Sequence, residues 1–156
     1  FMLTPLGMPD AMLKALGDDA VGLVTGGLFA SWMTEDQNGV MAKFVKDYAA
    51  SFGVVPSPQA IQAYAGMRMV LAAMDSAKTL DTNGIIDALT NTSIDTVIGK
   101  LAVRKEDHQG IVGSYLAEAV KLPQPRYGAT VGWKVSKVLP WDSIKVDLAQ
   151  TGCKGL

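Results

Sequence analysis

Apolar residues along this chain follow two rhythms, and the change from one to the other divides it. Up to about residue 91 the spacing is mostly that of helices; beyond it, runs and alternation take over. Pro9 and Asp10 precede AMLKAL, and Gly17 follows it. This predicts a short helix with Asp10 near its N-terminus and Gly17 as its stop. AVGLVTGG, residues 20–27, is β-branched and apolar and closes on two glycines, so a buried strand is predicted. LFASWMTEDQN reads as a loop whose Thr34, Glu35, Asp36 and Gln37 form a capping box. The helix it opens, about 37–52, places Val40, Phe44, Val45, Tyr48 and Phe52 largely on one face. Lys43, Lys46 and Asp47 take the other.

Gly53 ends that helix, and Ser57 followed by Pro58 is an N-cap and first-position pair for the next, which runs to about Lys78. Ile61, Tyr64, Ala65, Met67, Leu71, Ala72 and Met74 make it so apolar that cover on most sides is expected. Thr82, Asn83 and Gly84 open a third helix, about 83–91, with Ile85, Ile86 and Leu89. Then Leu101 and Val103 alternate with Lys100, Ala102 and Arg104, and an apolar run resumes from Ile111 to Val120 after a polar turn. In VGWKVSKVLP, Val131, Trp133, Val135 and Lys137 fall on one face of a strand. Pro123, Gln124 and Pro125 are expected to join the last two strands by a loop or wide hairpin. The order α-β-α-α-α-β-β-β is an α/β or α+β layout with too few strands for its helices.

At 156 residues, 49% hydrophobic and 19% charged, the chain fits one ordinary globular domain. A formal net charge of -1 argues against a general electrostatic grip on nucleic acid, and the basic pair Arg104 and Lys105 is followed at once by Glu106 and Asp107. Residues 48–67 are long enough to span a bilayer, which takes about 20 residues. Gly53, Pro56, Pro58 and four Ser or Gln residues make that stretch too broken and too polar. A second uncharged stretch, 20–34, is shorter and holds Gly22, Gly26 and Gly27. The reading is a soluble chain whose export signal, if it has one, lies outside this text. With one cysteine (Cys153) and one histidine, a structural zinc site has too few ligands, and no cofactor is called for.

Catalysis would have to start from His108, in the turn Glu106, Asp107, His108, Gln109, with Ser114 or Cys153 as nucleophile. No G-x-S-x-G elbow supports that, and a hydrogen-bonding turn residue is the plainer role. Gly26 and Gly27 belong to no phosphate-loop pattern and read as a tight exit from the strand. Asp18 with Asp19, and Glu35 with Asp36, read as solvated acids in a turn and at a helix start. Met67, Met69 and Met74 read as core packing. Met2, Met8 and Met33 lie in or beside loops at strand ends, where open α/β sheets bind ligands. Phe29 and Trp32 fit two roles equally: cover for a hinge, or the wall of a cleft.

These pieces, in order, resemble the C-terminal part of periplasmic solute-binding proteins of the branched-chain amino acid (Leu/Ile/Val-type) transporter family. The resemblance is carried by ALGDDAVGLVTGG, by MAKFVKDYAASFGVVPSPQAIQAYAGMRMVLAAMDSA, by GIIDALTNTSIDTVIGKLAVRKEDHQG and by GWKVSKVLP. It implies a partial type I periplasmic-binding-protein fold: two three-layer α/β/α lobes joined by a three-stranded hinge, with the N-terminal half absent. Residues 1–28 would belong to the second lobe, 29–110 to the first, and 111–156 to the hinge crossing and the second lobe's C-terminal segment. Phe1 would then be the end of a second-lobe strand.

By the same resemblance the chain would belong to the extracytoplasmic solute-binding component of an ABC importer, periplasmic or else extracellular and membrane-tethered. Its partners would be a small-molecule ligand, a membrane permease and the missing N-terminal half; no nucleic acid is involved. Amino-acid binders of the family hold the ligand ammonium with an acid in the loop that here reads Met2, Leu3, Thr4, Pro5, Leu6, Gly7, Met8, and Pro5 stands where the acid would be. A buried ammonium without a counter-charge is strongly disfavoured. The expectation is therefore an aromatic or other carboxylic acid, with Thr4 donating a hydrogen bond, Pro5 in the acid's place, and Leu6, Met8, Phe29 and Trp32 in apolar contact. A ligand-sensing receptor or regulator of the same fold is the alternative, and an α/β enzyme the third reading.

Overall fold

The computed structural model describes residues 3–4, 10–27 and 39–153, without the side chains of Leu3, Thr4 and Asp10. In chain order its elements are β1 (Leu3–Thr4), α1 (Asp10–Leu16), a 3-10 turn (Gly17–Ala20), β2 (Val24–Gly27), α2 (Gly39–Phe52) and α3 (Pro58–Ala77). There follow α4 (Thr82–Asn91), β3 (Ser93–Thr96), β4 (Gly99–Val103), β5 (Gly110–Ile111), β6 (Ser114–Arg126), β7 (Ala129–Leu139), α5 (Trp141–Ile144) and α6 (Leu148–Thr151). Two units divide the chain: Phe1–Ile61 with Ser114–Leu139, and Gln62–Gly113 with Pro140–Leu156. No helix among the described residues is long and apolar enough to cross a membrane.

The first unit is built on a sheet of order β1-β2-β6-β7. β1 and β2 are parallel; the other pairs are antiparallel. The strand predicted over 20–27 is shorter, because Gly22 turns the backbone into the left-handed region (φ +88) and Ala20 closes the 3-10 turn instead. Leu23 still extends the ladder: Ala119 N–H donates to Leu23 O and Gly22 N–H to Ala119 O, each at 2.9 Å. α1 packs on β7, and Leu13, Ala20, Ala117, Ala119, Ala129, Val131 and Trp133 form one buried cluster. Three alanines from the two long strands leave room for the Trp133 ring. Among the described side chains of α1, Leu13 is the buried one, while Met12 and Leu16 are exposed.

β6 and β7 form a long ribbon with two irregularities, and both change the sequence expectation. Leu116 pairs with Lys137 but Ala117 pairs with Val135, so Ser136 is the extra residue of a bulge. Its Oγ donates to Leu116 O at 3.1 Å. The alternation that buries Val131 and Trp133 therefore stops, and Lys137 is exposed instead of sharing their face. Pro123 and Pro125 lie within β6, not in a linking loop, where the register shifts between Lys121 and Arg126. A residue that cannot donate to the ladder is tolerated there. The connection is a two-residue hairpin, Tyr127 (φ +49) and Gly128 (φ +78), between the paired Arg126 and Ala129. Positive φ at both positions is the type I′ signature.

In the same unit α2 buries Met41 and Val45, while Val40 and Phe52 are exposed. The buried stripe is thus rotated from the face the sequence chose, because Met41 at i and Val45 at i+4 form the covered row. Phe44, Tyr48 and Phe52 make a ladder of neighbouring rings, with centroids 5.9 and 4.5 Å apart. The capping box at 34–37 lies outside the described residues.

α3 begins at the expected cap: Ala60 N–H donates to Ser57 Oγ at 3.2 Å. It buries Ile61, Ala65, Met69 and Ala73. Met67 and Leu71 on the opposite face are 59% and 56% exposed, so cover reaches one face and not most sides.

The second unit holds the antiparallel sheet β3-β4-β5, with α4 packed on β4. α4 starts one residue earlier than its sequence suggested, because Asp81 Oδ2 accepts from Gly84 N–H at 3.0 Å and caps it. The β3–β4 turn is pinned by Thr96, whose Oγ1 donates to Gly99 O at 2.7 Å and accepts from Ile98 N–H at 3.2 Å. β1, β3 and β5 have too few residues to show a period, so the sequence pattern did not mark them.

Leu13→Ala should cost about 2–5 kcal/mol through the cavity it leaves. Met12→Ala, one residue away but exposed, should stay within about 0.5 kcal/mol. Urea unfolding of the two variants checks the difference. Asp81→Ala should cost about 1 kcal/mol through loss of the α4 cap, read as a lower thermal midpoint.

Candidate ligand-binding site

The pair β1 and β2 positions the candidate site. Leu3 is in register with Val24, and Thr4 with Thr25. Being parallel, the two strands end on the same edge of the sheet, and such carboxyl ends are where open α/β sheets bind ligands. Residues 5–9 follow β1 directly, and residues 28–38 follow β2. Two of the proposed contact sets thus belong to segments that leave adjacent strand ends. Thr4 lies at the end of β1, and its side chain is outside the described residues. Pro5, Leu6, Met8, Phe29 and Trp32 also lie outside them.

What is described of that edge is mostly backbone. Thr25, in mid-β2, is fully buried. A Cβ at Gly26 would meet Leu116 Cδ2 at 3.5 Å, an ordinary contact, so space does not require glycine there. Gly27 is different: its φ of +153 is one that L side chains rarely adopt, which fits the tight exit read from the sequence. Opposite Gly27, at the start of β6, stands Tyr115. Its ring packs half-buried against the core cluster, and burial raises its phenol pKa. Sequence reasoning did not single out Tyr115, because in the run 111–120 it reads as one more apolar position.

A cluster of interacting polar side chains lies in the second unit, around the turn after β4. Arg104 Nε donates to Asp107 Oδ1 at 2.8 Å, and its Nη2 forms a second, short bond to Oδ2. Nη2 also donates to Gln109 Oε1 at 2.8 Å, and Nη1 to Val146 O at 3.0 Å. The guanidinium carbon is 5.6 Å from the centroid of the Trp141 ring, within cation–π range. The sequence presented Arg104 as half of a neutralised basic pair; its separation of three residues from Asp107 was the available signal. His108, where an enzyme reading must start, is exposed in this turn with φ +57, in the left-handed region where turn residues sit. Cys153 is an exposed thiol.

A family profile described as periplasmic binding protein matches residues 1–123. The chain belongs to the periplasmic binding protein family. No curated protein matches it by sequence. Among solved structures, a periplasmic binding protein from Burkholderia mallei is similar at 23% identity and a TM-score of 0.80, over 95% of this chain and 38% of that one. The closed leucine-, isoleucine-, valine-, threonine- and alanine-binding protein of Brucella ovis is similar at 23% identity and a TM-score of 0.75, over 87% and 35%. A third is an ABC-transporter solute-binding protein of Rhodopseudomonas palustris, in complex with 3,4-dihydroxybenzoic acid. It matches at 21% identity and a TM-score of 0.72, over 85% and 35%. These likenesses carry the fold: a partial type I periplasmic-binding architecture. The chain spans 35% to 38% of the length of these relatives.

In this family member the Arg104–Asp107 pair has a defined acid response. The hydrogen bond from Arg104 holds the Asp107 carboxyl below the usual carboxylate range, against the opposing effect of burial; the Gln109 N–H helps. A carboxyl depressed in the folded state contributes stability above its unfolded pKa of about 3.9, and loses it as pH falls through the lower folded value. Thermal midpoints of wild type should therefore fall more steeply below about pH 4 than those of Asp107→Asn, which lacks the titrating group.

Proposed function

We propose that the chain is part of the extracytoplasmic solute-binding component of an ABC importer, and that it binds a small organic acid lacking an α-amino group. The observation that carries this reading is the adjacent ending of β1 and β2, which sends segments 5–9 and 28–38 from one sheet edge in a member of the periplasmic binding family. The first acidic residue of the chain is Asp10, inside α1, so the segment that follows β1 offers no carboxylate to an ammonium. Thr4 supplies a hydroxyl. Pro5, Leu6, Met8, Phe29 and Trp32 supply an apolar and aromatic wall suited to a benzoate-type ring.

The dihydroxybenzoic acid in the Rhodopseudomonas protein supports this ligand class, and the amino acids named for the Brucella protein are the competing one. We assign 1–28 to the second lobe, 29–110 to the first, and 111–156 to the hinge crossing and the second lobe's end, following the sequence resemblance. Ligand contact with both lobes stabilises the closed form, and delivery is to a membrane permease. No covalent chemistry or cofactor enters this mechanism.

Calorimetry on the protein at its natural length tests the reading, with benzoate, 4-hydroxybenzoate, 3,4-dihydroxybenzoate and L-leucine as titrants. At least one aromatic acid should bind more tightly than leucine, by about tenfold or more, the equivalent of about 1.4 kcal/mol. Tighter binding of leucine than of every acid overturns it.

A further inference from the structure

The Arg104 guanidinium meets chain arriving from two directions. Gln109 lies shortly before the chain leaves the second unit, between Gly113 and Ser114. Trp141 and Val146 lie just after it returns, between Leu139 and Pro140. At the ribbon end Ser114 is the register partner of Leu139, so the outgoing and returning passages run side by side. Arg104 touches the chain on the second-unit side of both: Gln109 Oε1 on the way out, Val146 O and the Trp141 ring on the way back. The outgoing side is closed further by Arg104 N–H donating to Gln109 O at 2.8 Å, and by Gln109 N–H donating to Asp107 Oδ1 at 3.1 Å. The side chains of Arg104 and Asp107 are only 15% and 8% exposed.

We infer that Arg104 is a positioning residue that anchors both passages to the second unit as one clamped pair. Chemistry favours arginine for this: its donors are held in a rigid plane that can serve a carboxylate, an amide oxygen and a backbone carbonyl together while a face stacks on an indole. Asp107 orients the fork. With Arg104 present, both passages start from a common fixed base and the ribbon beyond it bends as a unit. With Arg104 removed, each passage moves independently. The consequence for solute capture rests on the importer reading above, because closure there would work through these passages.

Two measurements on the natural-length protein separate the claims, using Arg104→Ala, Arg104→Lys and the distant control Asp81→Ala. In millisecond hydrogen exchange without ligand, Arg104→Ala should speed exchange at 109–113 and at 141–147 together, by about tenfold, and leave 131–135 of β7 unchanged. Arg104→Lys, a point charge without the fork, should do the same to a smaller degree and covers the case in which the alanine variant does not fold. Asp81→Ala should affect only α4. Faster exchange confined to 105–109, or on one passage alone, overturns the clamp. The second measurement is affinity for 3,4-dihydroxybenzoate with the ligand-induced change in radius of gyration. The Arg104 variants should lose about fivefold or more in affinity with an altered change in radius, and the control should alter neither. Unchanged values overturn the link to capture. Failure of wild type to bind any acid in the panel overturns the importer reading instead, and the exchange result still decides the clamp.

Discussion

The pairing of β2 on both its sides is the constraint on which the first unit depends. Four residues, Val24–Gly27, join β1 in parallel on one edge and the β6–β7 ribbon in antiparallel on the other. Without β2, the start of the chain would have no ladder to join. The long ribbon would lose its neighbour, and α1 would lose the frame that holds Leu13 on the alanine-lined face of β6 and β7. The same pairing sets where the candidate site would lie. A parallel partner at that register puts the carboxyl ends of β1 and β2 on one edge of the sheet.

Much of this was legible in the sequence. The caps and stops of α1 and α3 were written in Gly17 and in Ser57 with Pro58, because those residues act through backbone geometry within one turn. The burial of Val131 and Trp133 followed from alternation. Errors arose where the outcome was set by pairing and not by local pattern. Lys137 leaves the Trp133 face because Ser136 is bulged against Leu116, a property of two strands together. Pro123 and Pro125 looked like a loop, yet they sit inside β6 where an irregular register excuses their missing N–H groups. Tyr127 before Gly128 is not the usual Asn-Gly pair, so the hairpin turn carried no signal.

The candidate site divides the same way. Residue types in 5–9 could be read as without an acid, and those in 28–33 as largely apolar and aromatic ahead of Glu35 and Asp36, which constrains ligand chemistry. That the two segments follow neighbouring strand ends could not be read from pattern: it comes from the register Thr4 with Thr25, and two-residue β1 has no periodicity to announce itself. Family resemblance supplied that step in the sequence reading. Arg104 was passed over for a related reason. Its partners Trp141 and Val146 are far along the chain, and only folding brings them to it.

On the proposed function, the edge shared by β1 and β2 receives a solute. The most direct measurement is hydrogen exchange of the natural-length protein with and without saturating 3,4-dihydroxybenzoate, resolved by segment. Ligand protection is expected to concentrate in 5–9 and 28–38 and at the adjoining ends of β1 and β2. Protection elsewhere, with those segments unchanged while the ligand is bound, would contradict it.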